Sequence, residues 1–201
     1  MDYKTILGAT ATAVALASYI PYFRNIFRGQ TKPHAFSWLV WGALTAIGFA
    51  SQVAGGGGAG AWVTGFTALV SFSIFVLALK RGEKNIVRAD WLSLLGATIA
   101  LVLWFITGAP LLSIVLITVI DVFGFAPTFR KSFTKPREET LVTYLLSATK
   151  FAIALVALER FSVTTALYPI YLVLANGVFV LMLYIRRLQL KQSVEDQIIA
   201  S

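Results

Sequence analysis

Apolar side chains run through the chain in seven blocks, at about 5–26, 35–54, 61–79, 90–107, 110–130, 139–158 and 164–185, each cut from the next by charge or glycine. A helix needs ~20 apolar residues to cross a bilayer, so every block predicts a transmembrane helix. The blocks consume nearly the whole length. No room is left for a separate enzymatic domain, and the chain is expected not to be an enzyme. It opens Met-Asp-Tyr-Lys, without the basic start and small-x-small site of a cleavable signal, which predicts that the first helix is retained. The predicted fold class is an all-α integral membrane protein of seven transmembrane helices.

Composition agrees. Of the 201 residues, 58% are hydrophobic and 13% charged, with mean hydropathy +0.78. Soluble domains carry ~25% charged residues, and disordered chains are charge-rich and apolar-poor, so both classes are excluded. The net charge of +8 is explained by where the basic residues fall. Arg24, Arg28 and Lys32 follow the first helix; Lys80, Arg81, Lys84 and Arg88 the third; Arg130, Lys131, Lys135 and Arg137 the fifth; Arg186, Arg187 and Lys191 the last. These are fourteen of the 17 Lys and Arg, all on one side of the seven-span topology. Lys4 and Arg160 fall on the other side, and Lys150 lies inside a span. Cytoplasmic loops collect Lys and Arg, so the N-terminus is predicted outside and the C-terminus in the cytoplasm. The expected partners are the lipid bilayer and a small-molecule substrate, not nucleic acid, with a homo-oligomer left open. The uncharged loop Ala54–Ala61 reads as a flexible connector.

The chain also repeats itself. Pro21-Tyr22-Phe23-Arg24 returns as Pro127-Thr128-Phe129-Arg130, Thr31-Lys32-Pro33 as Thr134-Lys135-Pro136, and Phe75-Val76-Leu77 as Phe179-Val180-Leu181. The offsets are 106, 103 and 104 residues. Two three-helix units result: 1–80, and 109–187. Between them, 81–108 supplies a basic loop and a linker helix without counterpart, and 188–201 forms a tail expected at the membrane surface or frayed. One intervening helix gives both units the same orientation, a parallel repeat of the kind transporters rock about a shared site.

This 3+1+3 pattern resembles the SWEET and PQ-loop transporter superfamily over about residues 5–186. The family's first helix in each repeat ends in a Pro-Gln or related proline motif, matched by Pro21-Tyr22 and Pro127-Thr128, and Thr31–Ser37 resembles its second-helix start. The resemblance implies alternating access between two bundles, with Pro21 and Pro127 as hinges. An in-helix proline deletes one backbone hydrogen bond and softens the helix there.

Two ionisable residues fall near mid-span. Asp121 and Lys150 each lie about 17 Å from a predicted helix end, where a charge costs at least ~2.5–3.5 kcal/mol unless paired or hydrated. They read either as a salt bridge cementing the second bundle or as a substrate or proton site. Their counterparts by offset, Ala15 and Ile47, are uncharged. The resemblance implies a proton-coupling role for Asp121, six residues before Pro127. In the sixth block Thr140, Tyr144, Ser147 and Lys150 form one polar stripe at helical spacing. The second block repeats the idea with Trp38, Trp41, Thr45, Gly48 and Gln52, either as a cavity wall or as a packing face. Trp41, deeper than Trp38, is the candidate for stacking on a ligand. Asn176 resembles the substrate-binding asparagine of the family's third helix; its counterpart Phe72 is flanked by Ser71 and Ser73, of which Ser73 is taken as a candidate. Asn176, Lys150, Trp41, Tyr144, Ser147 and Ser73 are thus the expected substrate contacts.

Without cysteine and with one histidine, His34, read as a solvated loop residue, no metal constellation or cofactor motif is present. The expected function is transport of a small polar metabolite, amino-acid-like and proton-coupled. The alternatives are a PnuC-like vitamin carrier, suggested by Trp38 and Trp41, and a non-transporting receptor or scaffold of the same fold.

Overall fold

The computed structural model describes residues 2–107 and 109–200. It is all-helical among these residues. Seven α-helices follow in order: α1 (Tyr3–Phe27), α2 (Ala35–Ala54), α3 (Trp62–Arg81), α4 (Arg88–Thr107), α5 (Pro110–Thr134), α6 (Leu141–Ala157) and α7 (Val163–Ala200). Single 3₁₀ turns precede α3 (Gly58–Ala61) and α6 (Pro136–Glu138). Five stretches are long and apolar enough to cross a membrane: Tyr3–Phe27, Ala35–Ala54, Gly58–Arg81, Leu111–Thr134 and Val163–Lys191. The chain is a multi-pass, all-α membrane protein.

Local chemistry sets the helix ends. Asp2 caps α1, its carboxylate accepting from the Thr5 amide at 2.7 Å, which satisfies one of the amides orphaned in a first turn. At the other end Gly29, at φ 72°, closes a Schellman turn in which the Gln30 amide reaches the Asn25 carbonyl and the Gly29 amide that of Ile26. Pro21 and Pro127 lie inside α1 and α5, which run through them. Pro169, inside α7, was not singled out from the sequence. The predicted tail differs most, since α7 continues to Ala200; Ser201 lies outside the described residues.

The helices pack as two triplets. α3 lies against both α1 and α2, and α7 against both α5 and α6, while α1 meets α2 through side chains, the Trp38 ring lying 5.1 Å from that of Tyr22. Across the centre α1 packs on α6, and α2 on α5. α4 leans on α5 and touches α2 lightly; Trp91, Leu92, Ile99, Phe105 and Ile106 leave it with a broad exposed apolar surface. Two buried clusters stack along the interior. One is aliphatic, around Ala11, Ala15, Leu44, Ile47, Ile117 and Phe151; the other is aromatic, around Tyr19, Tyr22, Trp38, Trp41, Phe125, Tyr144 and Phe179.

One end of the molecule, the basic end, gathers the Lys- and Arg-rich loops. The opposite, glycine-rich end is more tightly packed than a flexible connector would be. Gly57 O accepts the Glu159 amide at 3.4 Å, Lys4 donates to Leu158 O at 2.8 Å, and Gln52 donates to Thr165 O at 3.2 Å. Gly56 and Gly58 adopt φ 74° and 56°, backbone that side chains with a Cβ rarely enter.

Candidate functional site

Where the two clusters meet, the triplets enclose a small chamber. Its wall takes Tyr19 from α1, Trp38, Trp41 and Thr45 from α2, Thr67 and Ser71 from α3, and Phe125 from α5. From α6 come Thr143, Tyr144, Ser147, Lys150 and Phe151, and from α7 Tyr168, Leu172 and Asn176. Six helices therefore contribute, and among the described residues none of α4 does. The chamber holds about 40 Å³ of space open to the centre of a water-sized sphere, room for about three waters.

The inward face of α6 carries Tyr144, Ser147 and Lys150 of the expected stripe, joined by Thr143, all buried, whereas Thr140 stands just before the helix and bonds Thr31. Lys150 is fully buried. Its ammonium donates to the Tyr19 hydroxyl at 2.9 Å and to Thr67 Oγ1 at 3.1 Å, and lies 4.4 Å from the Tyr19 ring centroid, a cation–π contact. Asp121 is equally buried but sits behind the wall. Both its oxygens, the Trp41 indole nitrogen and the Tyr168 hydroxyl lack hydrogen-bond partners, although the latter two face the carboxyl. Among the described residues no ion pair joins Asp121 to Lys150: the two charges are held apart, and the salt bridge offered as one reading of the sequence is not formed.

Of the expected contacts, Lys150, Trp41, Tyr144, Ser147 and Asn176 come together on the chamber wall. Asn176 donates back to Leu172 O at 2.7 Å within its own helix. Ser73 is not brought there. It is exposed and bonds Leu69 O on the outer side of α3, and Ser71, buried and with its hydroxyl unpartnered, takes the place expected of it. The signal was available: Thr64, Thr67, Ser71, Ile74 and Ala78 follow helical spacing on one buried face, and Ser73 stands some 200° around the helix from Ser71.

The floor of the chamber is a polar lock that sequence reasoning missed. Glu139, just before α6, is buried and pairs with buried Lys131 at 2.7 Å. Its other oxygen accepts the Tyr22 hydroxyl at 3.2 Å and the Tyr144 hydroxyl at 3.3 Å. The Trp38 indole in turn donates to Tyr22 at 3.1 Å. Lys131 spends its remaining protons on Lys32 O and Glu138 O, both at 2.8 Å. Beside it Thr31 and Thr140 share a hydrogen bond of 2.6 Å, and Thr128 donates to Ser37 at 2.9 Å. These contacts tie each triplet to the other.

His34 overturns its reading as a solvated loop residue. It is fully buried, with Nε2 at 3.2 Å from Asp90, which also receives Arg130 at 2.8 Å. Burial lowers its pKa below the ordinary 6.5 despite Asp90. The unfolded chain therefore binds more protons here than the folded one, and stability rises with pH through this window. Thermal unfolding measured from pH 7 down is expected to show stability falling below 6.5, and His34→Gln to flatten that slope. Stability gained on acidification would show instead that Asp90 holds the ring protonated. Glu83 acts in a lower window. Burial pushes its carboxyl up, but the Asn85 and Lys84 amides and the Lys135 ammonium override this and bring it down to about 2; its stabilisation is present above 4.5 and lost as pH falls toward 2.

Comparisons with protein-family models, with curated proteins and with solved structures return no match.

Proposed function

We propose that the chain is a carrier of a small polar metabolite, working by alternating access between two parallel three-helix repeats in a seven-span membrane protein. The supporting observation is a central chamber walled by both triplets, with contacts that cross between them toward each end. A scaffold has no need of a buried lysine on an internal cavity wall. Charge burial costs several kcal/mol and persists where it does something. The repeat reading is supported by the matched packing, α1–α3–α2 and α5–α7–α6, and by α1 on α6 answering α2 on α5. α4 is then the linker helix, and α6, at 17 residues, is a short span.

In this reading the basic end faces the cytoplasm, following the loop charges, and the glycine-rich end and N-terminus face outside. Pro21 and Pro127 are hinges at the cytoplasmic ends of α1 and α5. Asp121 carries a proton: neutral when protonated, it lets the loaded carrier change conformation, and it releases the proton inside. Asn176, Trp41, Tyr144 and Ser147 contact substrate beside Lys150. Small acids, amino-acid-like ones among them, are the class to try first, since their carboxylate meets Lys150 on the chamber wall, with Asp121 behind it.

Proteoliposomes carrying the purified chain are expected to take up a labelled small polar acid, faster with an acidic exterior. Asp121→Asn is expected to lose the response to the pH gradient while keeping exchange at equal pH. Uptake indifferent to both the gradient and the substitution removes the proton role, and no uptake of any small polar solute removes the carrier.

A further inference from the structure

We infer that the chamber is a carboxylate site, in which the anionic group of a short organic acid binds the Lys150 ammonium and the Ser71 hydroxyl and no amino group is required. This rests on the carrier reading for its biological use, but its own grounds are separate.

The first ground is what lines the wall. Lys150 has three donor protons, of which Tyr19 and Thr67 take two, and among the described residues no carboxylate pairs with it. Ser71 Oγ, buried on the same wall, has no partner. The chamber wall therefore presents an ammonium without an ion-pair partner and an unspent hydroxyl, and the only mid-span carboxyl, Asp121, is not part of its lining. An ammonium group entering this space meets a like charge, whereas a carboxylate meets a cation and a donor. A buried cation left without a counter-charge is costly, and a bound carboxylate removes that cost. The second ground is size: about 40 Å³ takes on the order of three to five non-hydrogen atoms.

Charge balance then assigns Asp121 its part. In the proposed cycle Asp121 gives up its proton when the chamber empties, so that with Lys150 charged the empty interior carries no net charge. A bound monocarboxylate adds one negative charge, and one proton on Asp121 cancels it. Both the empty and the loaded carrier are then neutral in the low-dielectric interior, which favours one proton moved per anion. The groups facing Asp121 leave this count unchanged. Tyr168 and Tyr171 on α7 are the ionisable ones, α2 presents Trp41 and Val40, and α4 carries Arg88 and Asp90 in its first turn, with Asp90 held by Arg130 at the basic end. A zwitterion adds no net charge and calls for no proton.

Three molecules of one size separate the cases: glycolate, its amide glycolamide, and glycine. In detergent, glycolate at about 50 mM is expected to raise the thermal midpoint of the intact chain, and glycolamide is not. Lys150→Met should abolish the effect. Ser71→Ala, which leaves the cation in place, should weaken binding roughly tenfold, as for loss of a hydrogen bond to a charged group, and it keeps the test open if Lys150→Met does not fold. Equal protection by glycolamide, or protection by glycine and not glycolate, overturns the proposal. In proteoliposomes glycolate uptake should follow an imposed pH gradient without moving net charge, and glycine uptake should ignore it. Protection without flux would leave the carboxylate site standing and remove the carrier; flux of neutral solutes alone would do the reverse.

Discussion

Glu139→Gln is expected to open the basic end of the molecule. The substitution keeps the shape of the side chain and removes its charge, leaving Lys131 buried with no anion beside it, only the carbonyls of Lys32 and Glu138. Breaking one side of a buried ion pair costs about 3–5 kcal/mol. Where that cost falls decides the outcome. Lys131 lies in α5, Glu139 just before α6 and Tyr144 in α6, while Tyr22 of α1 and the Lys32 carbonyl reach them from the first triplet, so these crossing contacts exist only while the two triplets meet at this end. The cost therefore weighs on the closed arrangement, and a shift of roughly a hundredfold or more toward the open one follows. The chain has no cysteine, so a single Ser147→Cys reporter on the chamber wall can be labelled without background. Faster maleimide labelling from the basic side is the expected result. A lowered thermal midpoint with unchanged labelling would make the pair a structural clamp only.

The lock also shows what a sequence can and cannot disclose. Five long apolar helices are legible because about twenty apolar residues in a row suit a bilayer, and most of the α6 stripe because polar groups at helical spacing share a face whatever they face. Lys150 and Asp121 stood out for the same reason: lipid does not tolerate them. Lys131 and Glu139 carried no such mark. They lie in a charged stretch, where a lysine and a glutamate are ordinary, and their burial arises where the α1–α2 and α5–α6 loops meet. His34 escaped likewise, since its partner Asp90 is 56 residues away. Contacts across that separation come from packing, not from local pattern. Ser73 fails for a subtler reason: it lies on the right helix, but a sequence offset fixes depth along α3 and not which of its faces is buried.

Gly8→Val is expected to have the opposite effect, holding the glycine-rich end apart. A Cβ at position 8 would stand 2.5 Å from the Ala59 carbonyl oxygen and 2.7 Å from the Ala59 Cβ. These are backbone and near-backbone atoms of a packed turn, which cannot swing aside as the end of a long side chain can. α1 must then withdraw from the 3₁₀ turn at Gly58–Ala61, and with it goes the Lys4 contact to Leu158 O. α3 follows directly from that turn, so the separation reaches the wall that carries Thr67 and Ser71. Labelling of the Ser147→Cys reporter should rise about tenfold or more from the glycine-rich side and stay slow from the basic side, where the Glu139 lock is intact; loss of packing of this kind commonly costs 1–3 kcal/mol. The two variants are thus a matched pair, each expected to expose one chamber from one face. If both raise labelling equally from both faces, the ends do not open in alternation, and the chamber is the interior of a loosened bundle.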